Sequence, residues 1–227
     1  MTCTKPDVII IRGAPGSGKT QASRCLATQF QKGVRVEIDT LRAMIISVDW
    51  TNQVAHSDIL SLSTSLVLGF HRLGYQPVIV VDTFSGNKLA TFLDELHSLD
   101  NSLQVRSFAL VTAPEVLRVR VENRPTDQFK DIGICKKLNS EVIRHLQPIE
   151  QIFDNTALTP EETAEVILGQ CAGWVARTFR FGYIIKILPP FGPIMRHGMG
   201  HAAPGKNWIP ACAGMTSQHL PIPSPSA

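Results

Sequence analysis

The sequence predicts an α/β fold built on a parallel β-sheet. Apolar runs too short to be helices alternate with longer segments of helical period, a pattern typical of repeated βαβ units. The first apolar run leads directly into a glycine-rich turn and a helix start. The five predicted strands cover residues 8–12, 34–38, 77–81, 105–111 and 152–154.

Helical periodicity predicts six helices between and after these strands. The last helix has a clear start signal, because Thr159 supplies an N-cap hydroxyl, Pro160 suits the first helical position and Glu162 completes a capping box. The predicted helices cover about residues 18–30, 57–72, 87–98, 114–123, 138–150 and 160–170.

The distribution of charge separates a body from a tail. All 19 Asp and Glu residues precede residue 172, whereas the tail holds five of the 22 Lys and Arg residues and eight of the 15 prolines. Prolines break helices and central strands. We therefore predict a folded domain at 1–172 and a basic Pro/Gly-rich extension at 173–227 that is disordered or a read-through product. A basic arm that binds nucleic acid or an anionic membrane is the alternative.

Cysteine usage and hydropathy argue against several classes of protein. The five cysteines are scattered and form no C-x-x-C pair, so neither a disulfide framework nor a zinc site is indicated. The sequence shows no signal peptide and no run of ~20 apolar residues. We expect a cytoplasmic protein with reduced thiols and no membrane partner, and the sequence leaves its oligomeric state open.

The turn after the first strand satisfies the pattern G-x-x-x-x-G-K-[ST] of a phosphate-binding loop. Its glycines allow backbone N–H groups to surround an anion at the start of a helix. The lysine would reach the β- and γ-phosphates of a nucleotide, and the final hydroxyl would bind magnesium. A chance glycine-rich turn is the alternative, which the strand and helix context disfavours. The predicted nucleotide-binding residues are Gly13, Ala14, Pro15, Gly16, Ser17, Gly18, Lys19 and Thr20.

Acidic residues follow the second and third predicted strands, at the edge of the sheet where the phosphate loop lies. Asp39 is placed to accept a proton from a hydroxyl that attacks the γ-phosphate, and Arg42, one helical turn on, could clamp an anionic substrate group. Asp82 fits a Walker B carboxylate that orients magnesium or contacts substrate. The alternatives are a helix N-cap for Asp39, a solvated helix residue for Arg42 and a turn residue for Asp82.

The fourth strand leads to a helix that carries three arginines. Arg120 and Arg124 have i, i+4 spacing and project from one face, whereas Arg118 can pair with Glu122. A mobile segment with such arginines, followed by a polar stretch at about 125–133, would act as a lid that stabilises the transferring phosphoryl group. An ordinary solvated charged helix is the alternative.

The motifs G-A-P-G-S-G-K-T, I-D-T-L-R, V-I-V-V-D-T and R-x-x-x-R resemble those of the P-loop kinases grouped with polynucleotide 5′-hydroxyl kinases and, more distantly, zeta-toxin kinases, all AAA-type small kinases that bind ATP. The resemblance covers about residues 5–170. It implies a three-layer P-loop NTPase sandwich, with a parallel sheet of strand order 2-3-1-4-5 and a small helical lid. It also implies that Asp39 is the general base, Arg42 binds a substrate phosphate, and Arg120 or Arg124 is the lid arginine.

The sequence as a whole predicts an ATP- and Mg²⁺-dependent kinase. The γ-phosphate would move to a hydroxyl of a nucleoside, nucleotide, nucleic-acid end or other small molecule. The predicted catalytic residues are Lys19, Asp39, Arg120 and Arg124, the predicted substrate contacts are Asp39, Arg42 and Asp82, and the predicted metal ligands are Thr20 and Asp82. A nucleotide-dependent switch or ATPase that signals to a protein partner is the alternative.

Overall fold

The computed structural model describes residues 6–46, 53–126 and 128–171. Within these ranges the strands form one parallel sheet of order β2-β3-β1-β4-β5, which confirms the predicted strand order. The strands are β1 (Val8–Gly13), β2 (Val34–Glu37), β3 (Val78–Asp82), β4 (Val105–Val111) and β5 (Glu150–Asp154). The helices are α1 (Lys19–Ala27), α2 (Ile38–Ala43), α3 (Gln53–Arg72), α4 (Lys88–Leu99), α5 (Pro114–Glu122), α6 (Ile132–Arg144) and α7 (Pro160–Cys171).

The central strand β1 is buried on both faces. Val8 and Ile10 pack in one apolar cluster with residues of α3 and α4, whereas Ile9 and Ile11 pack in another with residues of α1 and α7. Successive side chains of a strand point to opposite faces, so an unbroken apolar run is what a strand between two helical layers requires. The predicted three-layer sandwich is therefore confirmed.

Several predicted boundaries are wrong. Helix α6 begins at Ile132 rather than near residue 138, because the Asp131 carboxylate accepts the Ile134 N–H at 2.8 Å and caps the helix. It ends at Arg144, four residues before Pro148, which lacks the N–H that a helix interior needs. The second strand stops at Glu37, and Ile38 opens α2 instead of ending the strand.

Helices α5 and α6 form a small substructure beside the main core. Leu117 and Val121 of α5 pack against Cys135 of α6, and Phe129 of the connecting segment and Ile132 at the start of α6 close this cluster. Of the predicted lid arginines, Arg120 lies on α5 and Arg124 follows its end. The apolar contacts of the helix pair form a cluster separate from the two on the faces of the sheet.

The structure does not test the predicted C-terminal extension or the predicted lack of a membrane partner. The extension predicted at 173–227 lies outside the described residues. Within the described ranges, no helix combines the length and the apolar content that a membrane crossing requires.

A buried ion pair ties the end of α6 to the sheet. The guanidinium of Arg12, which is 0% exposed, donates to Glu150 at 3.0 Å and to the carbonyl of His145 at 3.1 Å. Burial raises the pKa of Glu150 and lowers the pKa of Arg12, so the pairing offsets a large desolvation penalty on both groups. Loss of one partner would leave the other charge buried without compensation.

We expect Arg12→Met to lower the free energy of unfolding by about 3–5 kcal/mol, since Glu150 would remain buried and unpaired. Urea denaturation measures the loss. The matched control is Arg118→Met, because Arg118 pairs with Glu122 at 2.9 Å but the two side chains are 50% and 45% exposed. That control should lose less than about 1 kcal/mol. Equal losses in the two variants would contradict this account of the buried pair.

Candidate active site

The phosphate loop has the backbone that its glycines predict. Gly16 and Gly18 have backbone φ values of +86° and +88°, which residues other than glycine rarely adopt. A Cβ at Gly16 would also come within 2.7 Å of the Val121 side chain of α5. The loop therefore needs glycine at this position both for its turn and for its contact with α5. This tight cradle at the start of α1 fits an anionic phosphate group.

Lys19 lies where the charges of several elements meet. Its side chain is buried, and Nζ donates to the carbonyl of Ala14 at 3.3 Å. Burial lowers the pKa of Lys19, and the negative charges of Asp39 and Asp82 oppose this shift, whereas the positive charge of Arg124 adds to it. Three predicted site residues, Asp39, Asp82 and Arg124, are therefore close enough to Lys19 for their charges to shift its pKa.

Arg42 connects the two predicted carboxylates. It donates to Asp39 at 2.6 Å and to the two oxygens of Asp82 at 2.7 Å and 3.2 Å, and it is only 8% exposed. Asp82 also accepts the N–H of Phe84 at 3.2 Å. Most donors of Arg42 are therefore used within the protein, although its Nε has no hydrogen-bond partner among the described residues.

The charges in this cluster stabilise one another. Burial alone would lower the pKa of Arg42 and raise that of Asp82, but the attraction between them reverses both shifts, so the pKa of Arg42 is raised and that of Asp82 is lowered. The Asp82 side chain is 2% exposed, whereas that of Asp39 is 61% exposed. Asp39 is thus the carboxylate of the pair that an incoming molecule can reach.

The hydroxyl of Thr20 has a carboxylate partner that the sequence analysis did not single out. It donates to Glu37 at 2.9 Å, and Glu37 also pairs with Arg35. The signal was present in the sequence, because Glu37 stands at the same strand end as Asp39. Within the described ranges, no three His, Cys, Asp or Glu side chains form a metal site by themselves. A magnesium ion here would depend on Thr20, a carboxylate and the phosphates of a nucleotide.

Asn155, just after β5, is a second residue that the sequence analysis missed. Its amide donates to the carbonyl of Ser17 at 2.6 Å and accepts from the hydroxyl of Thr112 at 2.7 Å. Asn155 is 2% exposed, so these bonds lie in a protected environment. They fasten the phosphate loop to the ends of β4 and β5. A polar residue at the carboxyl end of a parallel strand was the available signal.

The two predicted lid arginines have different surroundings. Arg120 donates to the carbonyls of Asn155, Thr156 and Leu158 at 3.2–3.4 Å, and its guanidinium would lie 3.8 Å from a Cβ at Gly18. Arg124, two residues beyond the end of α5, donates to the carbonyl of Phe129 at 2.8 Å and lies in the field of Lys19. Arg118 pairs with Glu122 on the exposed face, which confirms that prediction.

A comparison with protein families identifies the chain's relatives. The AAA domain family matches residues 8–145, which is more than half of the chain. The chain belongs to the AAA domain family. The match runs from the first residue of β1 to the end of α6 and includes every predicted site residue. No curated protein matches the chain.

Solved structures with kinase and other functions share the fold of this AAA domain protein. The tunicamycin resistance protein of Deinococcus radiodurans is 20% identical with a TM-score of 0.55, over 73% of this chain and 95% of that one. A gluconokinase from Sinorhizobium meliloti 1021 is 17% identical with a TM-score of 0.51, over 74% and 95%. A chain of the Pnkp1/Rnl/Hen1 RNA repair complex is 20% identical with a TM-score of 0.50, over 62% and 45%.

These comparisons confirm the predicted resemblance at the level of family and fold. Sequence identities of 17–20% are too low to infer that this chain shares a substrate with any of these proteins.

We expect Asn155→Asp to weaken nucleotide binding and to destabilise the fold by about 1–3 kcal/mol, because the carboxylate cannot donate to Ser17 and leaves a buried carbonyl unsatisfied. Titration with a fluorescent ATP analogue and urea denaturation measure the two effects. The control is Asn101→Asp, since Asn101 lies in an exposed turn. An unchanged nucleotide affinity in the Asn155 variant would show that this bond does not hold the loop.

Proposed function

We propose that this protein is an ATP- and Mg²⁺-dependent kinase that moves the γ-phosphate to a hydroxyl group. The observation that carries the proposal is the position of Asp39. Its carboxylate is accessible and accepts a hydrogen bond from Arg42 at 2.6 Å. Its negative charge also raises the pKa of Lys19 in the phosphate loop, against the effect of burial. A nucleotide-binding loop faced by an accessible carboxylate has the groups needed for transfer to an alcohol.

Each group of the site has a role in this reaction. The amides of the loop and Lys19 would bind the phosphates, and Thr20 with a nearby carboxylate would hold the metal. Magnesium, when bound, neutralises the charge that develops on the phosphates. Asp39 takes the proton of the attacking hydroxyl, while Arg42 fixes the orientation of that carboxylate. Catalysis then depends on positioning and charge stabilisation rather than on a covalent intermediate.

The contacts of the two lid arginines support different roles for them. Arg124 is held by the carbonyl of Phe129 at 2.8 Å, and its positive charge contributes to lowering the pKa of Lys19, so we assign it to the transferring phosphoryl group. Arg120 spans Gly18 and the carbonyls of the β5–α7 loop, so we assign it to the nucleotide-binding side of the cleft. Burial lowers the pKa of Arg120, which is consistent with its position against this loop.

The acceptor is a nucleoside, a nucleotide, a nucleic-acid 5′ end or another small molecule with a hydroxyl. One structural neighbour is named a gluconokinase and another belongs to an RNA repair complex, so we keep small molecules and nucleic-acid ends as candidate acceptors. Cys25 and Cys135 are thiols rather than disulfides in the structure, which supports the proposal of a cytoplasmic location.

The test is incubation of the full chain with γ-labelled ATP and Mg²⁺ against 5′-hydroxyl oligonucleotides, nucleosides, sugar nucleotides and aminoglycosides. Label transferred to any acceptor supports the kinase. Hydrolysis of ATP that no acceptor changes, with turnover that depends on an added protein partner, would favour a switch protein instead.

We expect Asp39→Asn to reduce phosphate transfer by about 10²–10⁴-fold, because the amide cannot accept a proton, while affinity for ATP is retained. Single-turnover transfer and equilibrium nucleotide binding measure the two quantities. Asp94→Asn is the matched control, since Asp94 is exposed on α4. Full transfer activity in the Asp39 variant would remove this residue from the proposed mechanism.

We expect Arg124→Ala to lower kcat by about 10³–10⁵-fold, the range found when an arginine that stabilises the transferring phosphoryl group is removed. Arg120→Ala should mainly weaken nucleotide binding, and Arg118→Ala, on the exposed face of α5, should change neither. Steady-state kinetics of the three variants separate kcat from KM. A larger loss of kcat at Arg120 than at Arg124 would reverse the two assignments.

A further inference from the structure

The hydroxyl of Thr20, at the end of the phosphate loop, needs a hydrogen-bond acceptor if its oxygen is to bind a metal. A threonine that binds a metal does so through an oxygen lone pair and keeps its proton, so the O–H needs an acceptor elsewhere. In this structure Thr20 donates to Glu37 at 2.9 Å. That hydrogen bond is compatible with metal binding, because it uses the proton and leaves the lone pairs available.

The surroundings of Glu37 hold its carboxylate in this position. Arg35 and Glu37 are two residues apart on β2, so their side chains share one face of the strand. Arg35 pairs with one carboxylate oxygen, and Thr20 occupies the other. The side chain of Glu37 is 20% exposed, and its charge acts on Lys19. It therefore borders the space in front of the phosphate loop.

Asp82, the carboxylate that the Walker B pattern favours, is less available. Both of its oxygens accept hydrogen bonds from Arg42, and one also accepts the N–H of Phe84. Its side chain is 2% exposed. Both carboxylates pair with an arginine, but Asp82 is nearly fully buried, whereas Glu37 is 20% exposed and is itself the hydrogen-bond acceptor of Thr20.

We propose that Glu37 is the carboxylate that positions Mg²⁺ on the phosphate loop, by accepting a hydrogen bond from the hydroxyl of Thr20 and so directing the threonine oxygen to the metal. This inference rests on the proposed function and adds a residue to it. Glu37 is a positioning residue in this role, and Arg35 holds it. Groups that orient a metal ligand typically change metal affinity by 10–100-fold when removed.

The experiment measures the affinity of a fluorescent ATP analogue for the full chain in EDTA and in saturating Mg²⁺. By thermodynamic linkage, the ratio of the two affinities is the contribution of the protein to metal binding. We expect wild-type protein to show a ratio above about ten and Glu37→Ala to lower it by about 10–100-fold, with the metal-free affinity little changed. Glu37→Gln, which keeps an acceptor but loses the charge, should fall between the two.

The control is Glu165→Ala, an exposed carboxylate on α7 that should match wild type. Thermal unfolding verifies that each variant is folded, and Glu37→Gln carries the test if the alanine variant is not. A ratio unchanged in the Glu37 variants, or one lost in Asp82→Asn instead, overturns this inference. So does a wild-type ratio of one, although ATP binding and the proposed kinase would then survive. Absence of ATP binding in wild type would overturn both proposals.

Discussion

The geometry of the site depends on the buried guanidinium of Arg42. A charge that is only 8% exposed is stable in the fold only with anionic partners, and Arg42 has two, Asp82 at the end of β3 and Asp39 on its own helix. Helix α2 has six residues, too few to be stable in isolation. Its attachment to the sheet through Asp82 therefore determines where the accessible carboxylate of Asp39 stands. A substitution of Arg42 would remove a hydrogen-bond donor and a positive charge from both carboxylates.

The phosphate loop is held independently from the other half of the sheet. Val121 of α5 packs over Gly16, and Asn155 after β5 binds the carbonyl of Ser17. The loop is thus supported by α5 on one side and by the end of β5 on the other. Preorganised amide groups stabilise phosphate charge without reorganising during the reaction. The same supports bring Arg120 against the loop, so the position of α5 and the shape of the loop are coupled.

Much of the fold could be predicted because each strand carries its own local pattern. The run from Val8 to Ile11 is apolar at every position, which fits a strand covered on both faces, and the capping box before α7 is present as predicted, with Thr159 and Glu162 exchanging hydrogen bonds at 2.8 Å and 3.1 Å. The start of α6 was misplaced because its cap, Asp131, lies within a polar stretch that resembles a loop. Short helices such as α2 leave too few residues for a periodic signal.

The phosphate loop, the parallel sheet and the candidate residues at the strand ends could be predicted from the amino-acid sequence, because they depend on local backbone requirements and on the period of apolar side chains. The partners of those residues became visible in the folded protein. Asp82 and Glu37 are each the last residue of a strand in the structure, yet Asp82 pairs with Arg42 whereas Glu37 accepts a hydrogen bond from Thr20. Which charged side chains pair depends on the distances between elements that are far apart in the sequence, and a local sequence pattern carries no information about those distances.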